Sequence, residues 1–323
     1  MSPAPVDALR EWCPMPVSPI PDEPVVQVRD LRMAYGSTQV LTGVDFDVHP
    51  GEVVCLLGPN GAGKTTTIEV LEGFRLPSAG DVRVLGADPA TGDDAWRARI
   101  GVVLQSWRDH PRWTPRRLLS YLGGYYAPFA TPDHPRPYDV EWLLTTVGLT
   151  DGADRKIATL SGGQRRRLDV AVGIIGRPEL LFLDEPTAGF DPEARRDFHD
   201  LVHRLSDLEG TSILLTTHDL GEAERLADRI LILTEGQIVA DGSPDALARQ
   251  VAGQAEVRWT CAGDVFVHAT DEPVPFVRRL LTQHGDDVTD LEVRRADLED
   301  TYLAMVHRAE TAPRTPELVE VTR

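Results

Sequence analysis

Nine residues, Gly58-Pro59-Asn60-Gly61-Ala62-Gly63-Lys64-Thr65-Thr66, limit what this chain can become more than any other stretch. They follow five apolar residues, Val53 to Leu57, and lead into Thr67-Ile68-Glu69-Val70-Leu71, which reads as a helix. A buried strand, a glycine-rich loop and a helix in that order are the setting of a phosphate-binding loop. Gly58, Gly61 and Gly63 let the backbone turn tightly and bring its N–H groups against phosphate oxygens. The helix adds the positive end of its dipole. Lys64 has the reach to meet β- and γ-phosphates, and the Thr65 hydroxyl is placed to ligate Mg²⁺. By itself the loop predicts nucleoside triphosphate binding and nothing further.

Charge narrows the partners. With 33 Lys and Arg against 51 Asp and Glu, the formal net charge is −18. The molecule as a whole would be repelled by nucleic acid and by anionic lipid, so no nucleic-acid partner is expected. Its 323 residues, 41% hydrophobic and 26% charged, suit a soluble globular protein of one large domain or two smaller ones. Cys13, Cys55 and Cys261 lie far apart without zinc-ligand spacing, and neither a zinc site nor a disulfide framework is expected. No apolar run approaches the roughly 20 residues that cross a bilayer. Residues 1–23 carry Pro3, Pro5, Pro14, Pro16, Pro19 and Pro21 and read as an irregular extension, not a signal peptide. Any action at a membrane then needs another chain to span it.

The rest of the chain supplies further motifs. Tyr35-Gly36 sits between two alternating segments, Val25 to Val28 and Val44 to Val48. An aromatic there can stack on a purine, although packing is the commoner role. Ile100-Gly101-Val102-Val103-Leu104 is an apolar strand ending at Gln105, an amide that can reach Mg²⁺ or an attacking water. Residues 106–180 read as mainly helical, with Trp107, Trp113, Tyr121, Tyr125 and Trp142 as core or as a face toward another protein. Leu160-Ser161-Gly162-Gly163-Gln164 opens a helix with Leu168, Val172 and Ile175 on one face. Ser161 has the N-cap residue type, and two glycines leave that helix end open to an anion. Leu180-Leu181-Phe182-Leu183 is a buried strand running into Asp184 and Glu185. There Asp184 can hold Mg²⁺ through water, while Glu185 can orient or deprotonate the attacking water. Gly189-Phe190-Asp191-Pro192 turns into a helix, and Ser212 to Thr217 delivers His218 to the end of another strand.

In this order the motifs resemble the ATP-binding subunit of an ABC transporter over about residues 25–245. The resemblance rests on the phosphate loop, Gln105, the LSGGQ signature at Leu160–Gln164, LLFLDEP at Leu180–Pro186, the aspartate loop at Asp191 and the switch histidine His218. It implies an α/β fold: a P-loop NTPase core of ABC type at 24–245, with a helical subdomain at about 106–180. A small C-terminal α+β appendage at 246–307 and a tail at 308–323 complete the expected division. It implies ATP and Mg²⁺ as ligands, Tyr35 stacked on adenine, and a head-to-tail homodimer. In that pair Ser161, Gly162, Gly163 and Gln164 of one protomer face the ATP on the other's phosphate loop. It gives Glu185 the role of base and His218 that of holding the γ-phosphate and water. It implies a separate permease and residence on the cytoplasmic face of the cell membrane. Asp297-Leu298-Glu299-Asp300-Thr301-Tyr302-Leu303 is similar to the C-terminal extension of ABC-2-type exporters of the daunorubicin-resistance kind. That implies an ABC-2-type permease and export of a drug, antibiotic or other hydrophobic compound, with lipid or polysaccharide as the other cargo class. A soluble ABC ATPase serving a non-transport machine is the competing class.

Overall fold

The computed structural model describes residues 23–103, 110–187, 190, 192–251, 255–261, 264–270, 272–294 and 302. The chain begins with β1 (Val26–Tyr35) and β2 (Thr38–Val48), an antiparallel pair, before β3 (Val53–Leu57). The phosphate loop leads into α1 (Lys64–Leu71), and β4 (Ala79–Val84) returns to the free edge of β1. A short helix α2 (Asp94–Arg97), capped by the Asp93 carboxylate on the Trp96 N–H, precedes β5 (Ile100–Val103). Three helices follow: α3 (Pro115–Tyr126), α4 (Val140–Thr146) and α5 (Gly162–Ile174). Then β6 (Leu180–Asp184), α6 (Pro192–Glu209), β7 (Ser212–Thr217), α7 (Leu220–Leu226) and β8 (Arg229–Thr234) alternate. The hairpin strand β9 (Gln237–Gly242) and α8 (Pro244–Val251) end this part.

The six-stranded sheet has the order β5-β6-β7-β3-β8-β9, parallel except for β9. Its central strands are continuous apolar runs because both faces are covered. Side chains alternate between two cores. Val53, Cys55 and Leu57 enter one core with Leu181, Leu183, Ile213 and Leu215, against α3 to α7. Val54 and Leu56 enter the other with Leu180, Phe182 and Leu214, against α1 and the β2-β1-β4 sheet. Strand β7 lies between β6 and β3, pairing Asp184 with Thr216 and Leu57 with Thr217. All three carboxyl ends therefore open onto one edge.

The expected helical character of 106–180 holds for its described residues, with α5 buried more widely than foreseen. Leu168 and Ile175 are buried as expected, but so are Val170, Ala171 and Ile174, while Val172 is only half covered. The cause is close packing on β5. A methyl group on Gly173 would lie 2.4 Å from Val103 Cγ2, so the helix can approach the strand only with glycine there.

Beyond α8, β10 (Ala255–Cys261) pairs antiparallel with β11 (Asp264–Thr270) and with β12 (Val288–Arg294), and α9 (Pro273–His284) lies between the latter two in sequence. Phe276 of α9 packs on Trp259 and His268. Tyr302 is half-buried against the core that holds Leu181 and Leu183. The remaining residues of the Asp297–Leu303 motif lie outside the described residues. No helix among the described residues is long and apolar enough to cross a membrane.

Candidate functional site

The phosphate loop leaves β3 at Gly58, whose need for glycine comes from space. A side chain there would run into the Leu233 carbonyl of β8, at 2.2 Å. Gly61 and Gly63 differ, holding φ values of +85° and +108° in the region that favours glycine. Gly58, Ala62 and Gly63 are buried, Pro59 and Thr66 half-buried, and Asn60, Gly61 and Thr65 exposed. Lys64 is 6% exposed. Its Nζ donates to the carbonyls of Gly58 (2.8 Å) and Pro59 (3.1 Å) and lies 3.9 Å from Glu185 Oε1. Burial pushes its pKa down, while the carboxylates of Glu185 and Asp184 oppose that shift.

The acidic pair meets this loop across β7. Asp184 Oδ1 accepts from Thr216 Oγ1 at 2.5 Å, and Thr65 Oγ1 donates to Asp184 Oδ2 at 3.2 Å. A hydroxyl and a carboxylate side by side are hard oxygen donors suited to Mg²⁺, which takes few protein ligands and relies on phosphate and water for the rest. Glu185 stands in left-handed backbone, φ +44°, and its N–H donates to Thr216 Oγ1 at 3.1 Å. Its Oε1 lies 3.1 Å from Nδ1 of His218, so carboxylate, imidazole and lysine converge.

Sequence reasoning missed what supports these groups. Thr217 Oγ1 donates to Glu222 Oε2 at 2.6 Å and accepts from the Asp219 N–H at 3.0 Å, fixing the turn that carries His218. Asp219 caps α7 by accepting from the Glu222 N–H. Glu222 is buried, and burial holds its carboxyl above the usual range. Its position four residues after His218, on the covered side of a helix, was the only available signal.

Glu72, at the end of α1, was not singled out either. Burial first, then the charges of Asp184 and Glu69, raise its pKa from 4.5 to about 8. Between those values the unfolded chain has lost a proton that the folded chain keeps, so stability falls as pH rises through that window. In nucleotide-free protein, Glu72→Gln is expected to raise the melting temperature at pH 8 and leave it nearly unchanged at pH 4. Equal shifts at both pH values would show that Glu72 does not carry this proton.

The signature forms the first turn of α5. Ser161 Oγ accepts from the Gln164 N–H (3.2 Å) and Gln164 Oε1 from the Ser161 N–H (3.1 Å), a reciprocal capping box. Ser161 and Gly162 are exposed, and a side chain added at Gly162 or Gly163 would meet nothing within 4 Å. Tyr35 is exposed at the end of β1, one ring face covered by the Arg75 guanidinium at 4.9 Å. Gln105 and Asp191 lie outside the described residues.

Comparison with known proteins agrees with this geometry. A family model described as ABC transporter matches residues 41–188. The Nod factor export ATP-binding protein I of Burkholderia lata is 40% identical over 241 residues, 74% of this chain and 75% of that protein. The daunorubicin/doxorubicin resistance ATP-binding protein DrrA of Streptomyces peucetius is 40% identical over 222 residues, 69% of this chain and 66% of that protein. A solved ATP-binding subunit of an ABC transporter superposes with a TM-score of 0.59 at 29% identity, covering 70% of this chain and 92% of the other.

Proposed function

The chain belongs to the ATP-binding subunits of ABC transporters, and we propose that it powers export of a drug, antibiotic or other hydrophobic compound through an ABC-2-type permease. Subunits of this family hydrolyse ATP. The observation that carries the site assignment is the meeting of Lys64, Asp184, Glu185 and His218 at one sheet edge. In the proposed assignment, backbone N–H groups of Gly58 to Thr66 and the Lys64 ammonium bind the β- and γ-phosphates. Tyr35 takes adenine on the ring face that Arg75 leaves uncovered. Thr65, Asp184 and Gln105 hold Mg²⁺, which when bound neutralises phosphate charge. Glu185 accepts the proton of the attacking water, and His218 holds that water and the γ-phosphate in line.

The second half of each site comes from a head-to-tail partner. Ser161 and Gly162 are exposed at the capped end of α5, and the space beside Gly162 and Gly163 is open, which supports the use of Ser161, Gly162, Gly163 and Gln164 between protomers. Asp191 is assigned to the same interface. Hydrolysis removes the γ-phosphate bridge and the pair reopens. The proposed division of the chain remains 24–245 for the ATPase and 246–307 for the appendage.

Export is favoured because one relative at 40% identity is named for Nod factor export, and another at 40% is named for resistance to daunorubicin and doxorubicin. Cargo contacts belong to the permease. Its docking face is assigned to the exposed side of α3. There Arg117 lies over Trp113 at 4.5 Å, and the rings of Trp113, Tyr121 and Tyr125 meet edge to face in turn. A tagged wild-type chain, expressed with the neighbouring membrane protein, is expected to co-purify it to the cytoplasmic face of the membrane. Tyr121→Ala with Tyr125→Ala should lower recovery of the permease at least tenfold while basal ATP turnover stays within twofold. Undiminished capture would move the docking face elsewhere, and purification without any membrane protein would favour the soluble class.

A further inference from the structure

We infer that Arg166 is a positioning residue that ties the signature helix to the backbone of Glu185 in the same protomer; this rests on the assignment of Glu185 as base. Arg166 is the second residue after Gln164. In the sequence it belongs to a run of three arginines, Arg165 to Arg167, with Asp169 close behind. In the fold the three part company. Arg167 points outward and pairs with Asp197 at 2.8 Å, whereas Arg166 is 7% exposed and passes beneath the end of β6. Its Nε donates to the Pro186 carbonyl at 2.8 Å, and its Nη2 lies 3.4 Å from the carbonyls of both Asp184 and Glu185. One planar fork thus serves three consecutive carbonyls, the segment in which the acidic pair ends its strand.

That segment needs holding. Glu185 has φ +44°, and a non-glycine residue keeps such a conformation only where its surroundings impose it. Thr216 holds the N–H side of Glu185, and Arg166 holds the carbonyl side. The guanidinium itself is kept charged at a cost. Burial pushes its pKa down, opposed by Asp169, whose Oδ2 is 3.9 Å from Nη1, and by Asp184 and Glu222. An apolar side chain could fill the same space without desolvating a charge, so the donors are what this position uses.

The lever is short and stiff. From Ser161 to Arg166 is five helical residues, about 7.5 Å along α5, and the capping box closes its first turn. A shift of that turn on meeting the partner's γ-phosphate is delivered to the backbone that aims Glu185. Each protomer's grip on its neighbour's nucleotide thereby sets the base for its own.

The test uses the full chain, reading ATP turnover, affinity for a fluorescent ATP analogue with Mg²⁺, and melting temperature. Arg166→Gln is expected to lower kcat at least tenfold with KM and affinity changed less than threefold. Arg166→Lys, whose compact ammonium lacks the span of the planar fork, should restore less than half of the activity. Arg136→Gln breaks the buried pair with Glu179 at the opposite end of β6 and calibrates plain destabilisation. A kcat within twofold of wild type for Arg166→Gln overturns the inference. So does a loss that tracks melting temperature as in Arg136→Gln, or one that affinity shares equally. If Arg166→Gln does not fold, Asp169→Asn carries the test: a threefold or greater fall in kcat at constant KM supports the tie, and unchanged kcat overturns it. Glu185→Gln in the same assay separates the two levels. Retained turnover there defeats the assignment of the base, whereas its loss beside active Arg166 variants defeats only this inference.

Discussion

Lys64→Ala is expected to weaken ATP binding by at least about 100-fold, measured by titration calorimetry with ATP and Mg²⁺. The ammonium is already drawn into the loop, within 3.1 Å of the Gly58 and Pro59 carbonyls, at the place where phosphate oxygens would enter. Charge-assisted hydrogen bonds are worth roughly 1.5–3 kcal/mol each. Losing two such bonds to phosphate costs about 3–6 kcal/mol, and each 1.4 kcal/mol is tenfold in affinity. Backbone N–H groups of the loop remain, so weak binding should persist at millimolar nucleotide. The melting temperature must be recorded beside the affinity, because Lys64 also supports the loop itself. Undiminished affinity in a folded variant would mean that Gly58 to Thr66 is not the phosphate cradle.

Glu185→Gln is expected to keep ATP binding and to lose turnover by about 10²–10⁴-fold, the usual worth of a positioned base. The amide preserves shape and can still meet His218, 3.1 Å away, but cannot accept a proton. With cleavage blocked, ATP should hold two protomers together, visible as a dimer in light scattering at low protein concentration. Each protomer carries a formal charge of −18, so the pair forms against repulsion and added salt should favour it. Moving such an equilibrium from 1:99 to 99:1 needs about 5.5 kcal/mol of differential binding. Rapid phosphate release by the variant would remove Glu185 from the role of base. A monomer under saturating ATP would remove the head-to-tail pairing.

The strands β3, β6 and β7 were legible because burial on both faces leaves an apolar run, ended by Gly58 after β3, by Asp184 in β6 and by Thr216 and Thr217 in β7. The capping box at Ser161 was half legible: the residue type gave the cap, but the return bond from Gln164 needed the helix. Arg166 and Arg167 were indistinguishable as letters. Only the packing of α5 on β5 decides which arginine points inward, one residue apart on a helix whose faces turn by about 100° per step. Gly58 was read for phosphate approach; that a side chain added there would run into the Leu233 carbonyl, 175 residues along the chain, needed the fold. Glu222 and Glu72 carried no motif, and their raised carboxyls follow first from burial and then from neighbouring carboxylates that only the fold brings close.

The nine residues from Gly58 to Thr66 pointed, without any coordinates, to a phosphate cradle between a strand and a helix, and the strand and helix are there. Such chemistry is local: glycine φ angles, a helix terminus and a lysine of fixed reach all lie within a few residues. The signature likewise identified the family by its letters. Tertiary structure decided which distant groups join that loop. In sequence β5 and β6 lie between β3 and β7, yet in the sheet β7 sits directly between β6 and β3. That strand order brings Thr65 to Asp184 across 119 residues and Glu185 to His218 across 33. Periodicity reveals that a strand is buried but not which strand it pairs with, since apolar runs of equal length fit one another almost equally well.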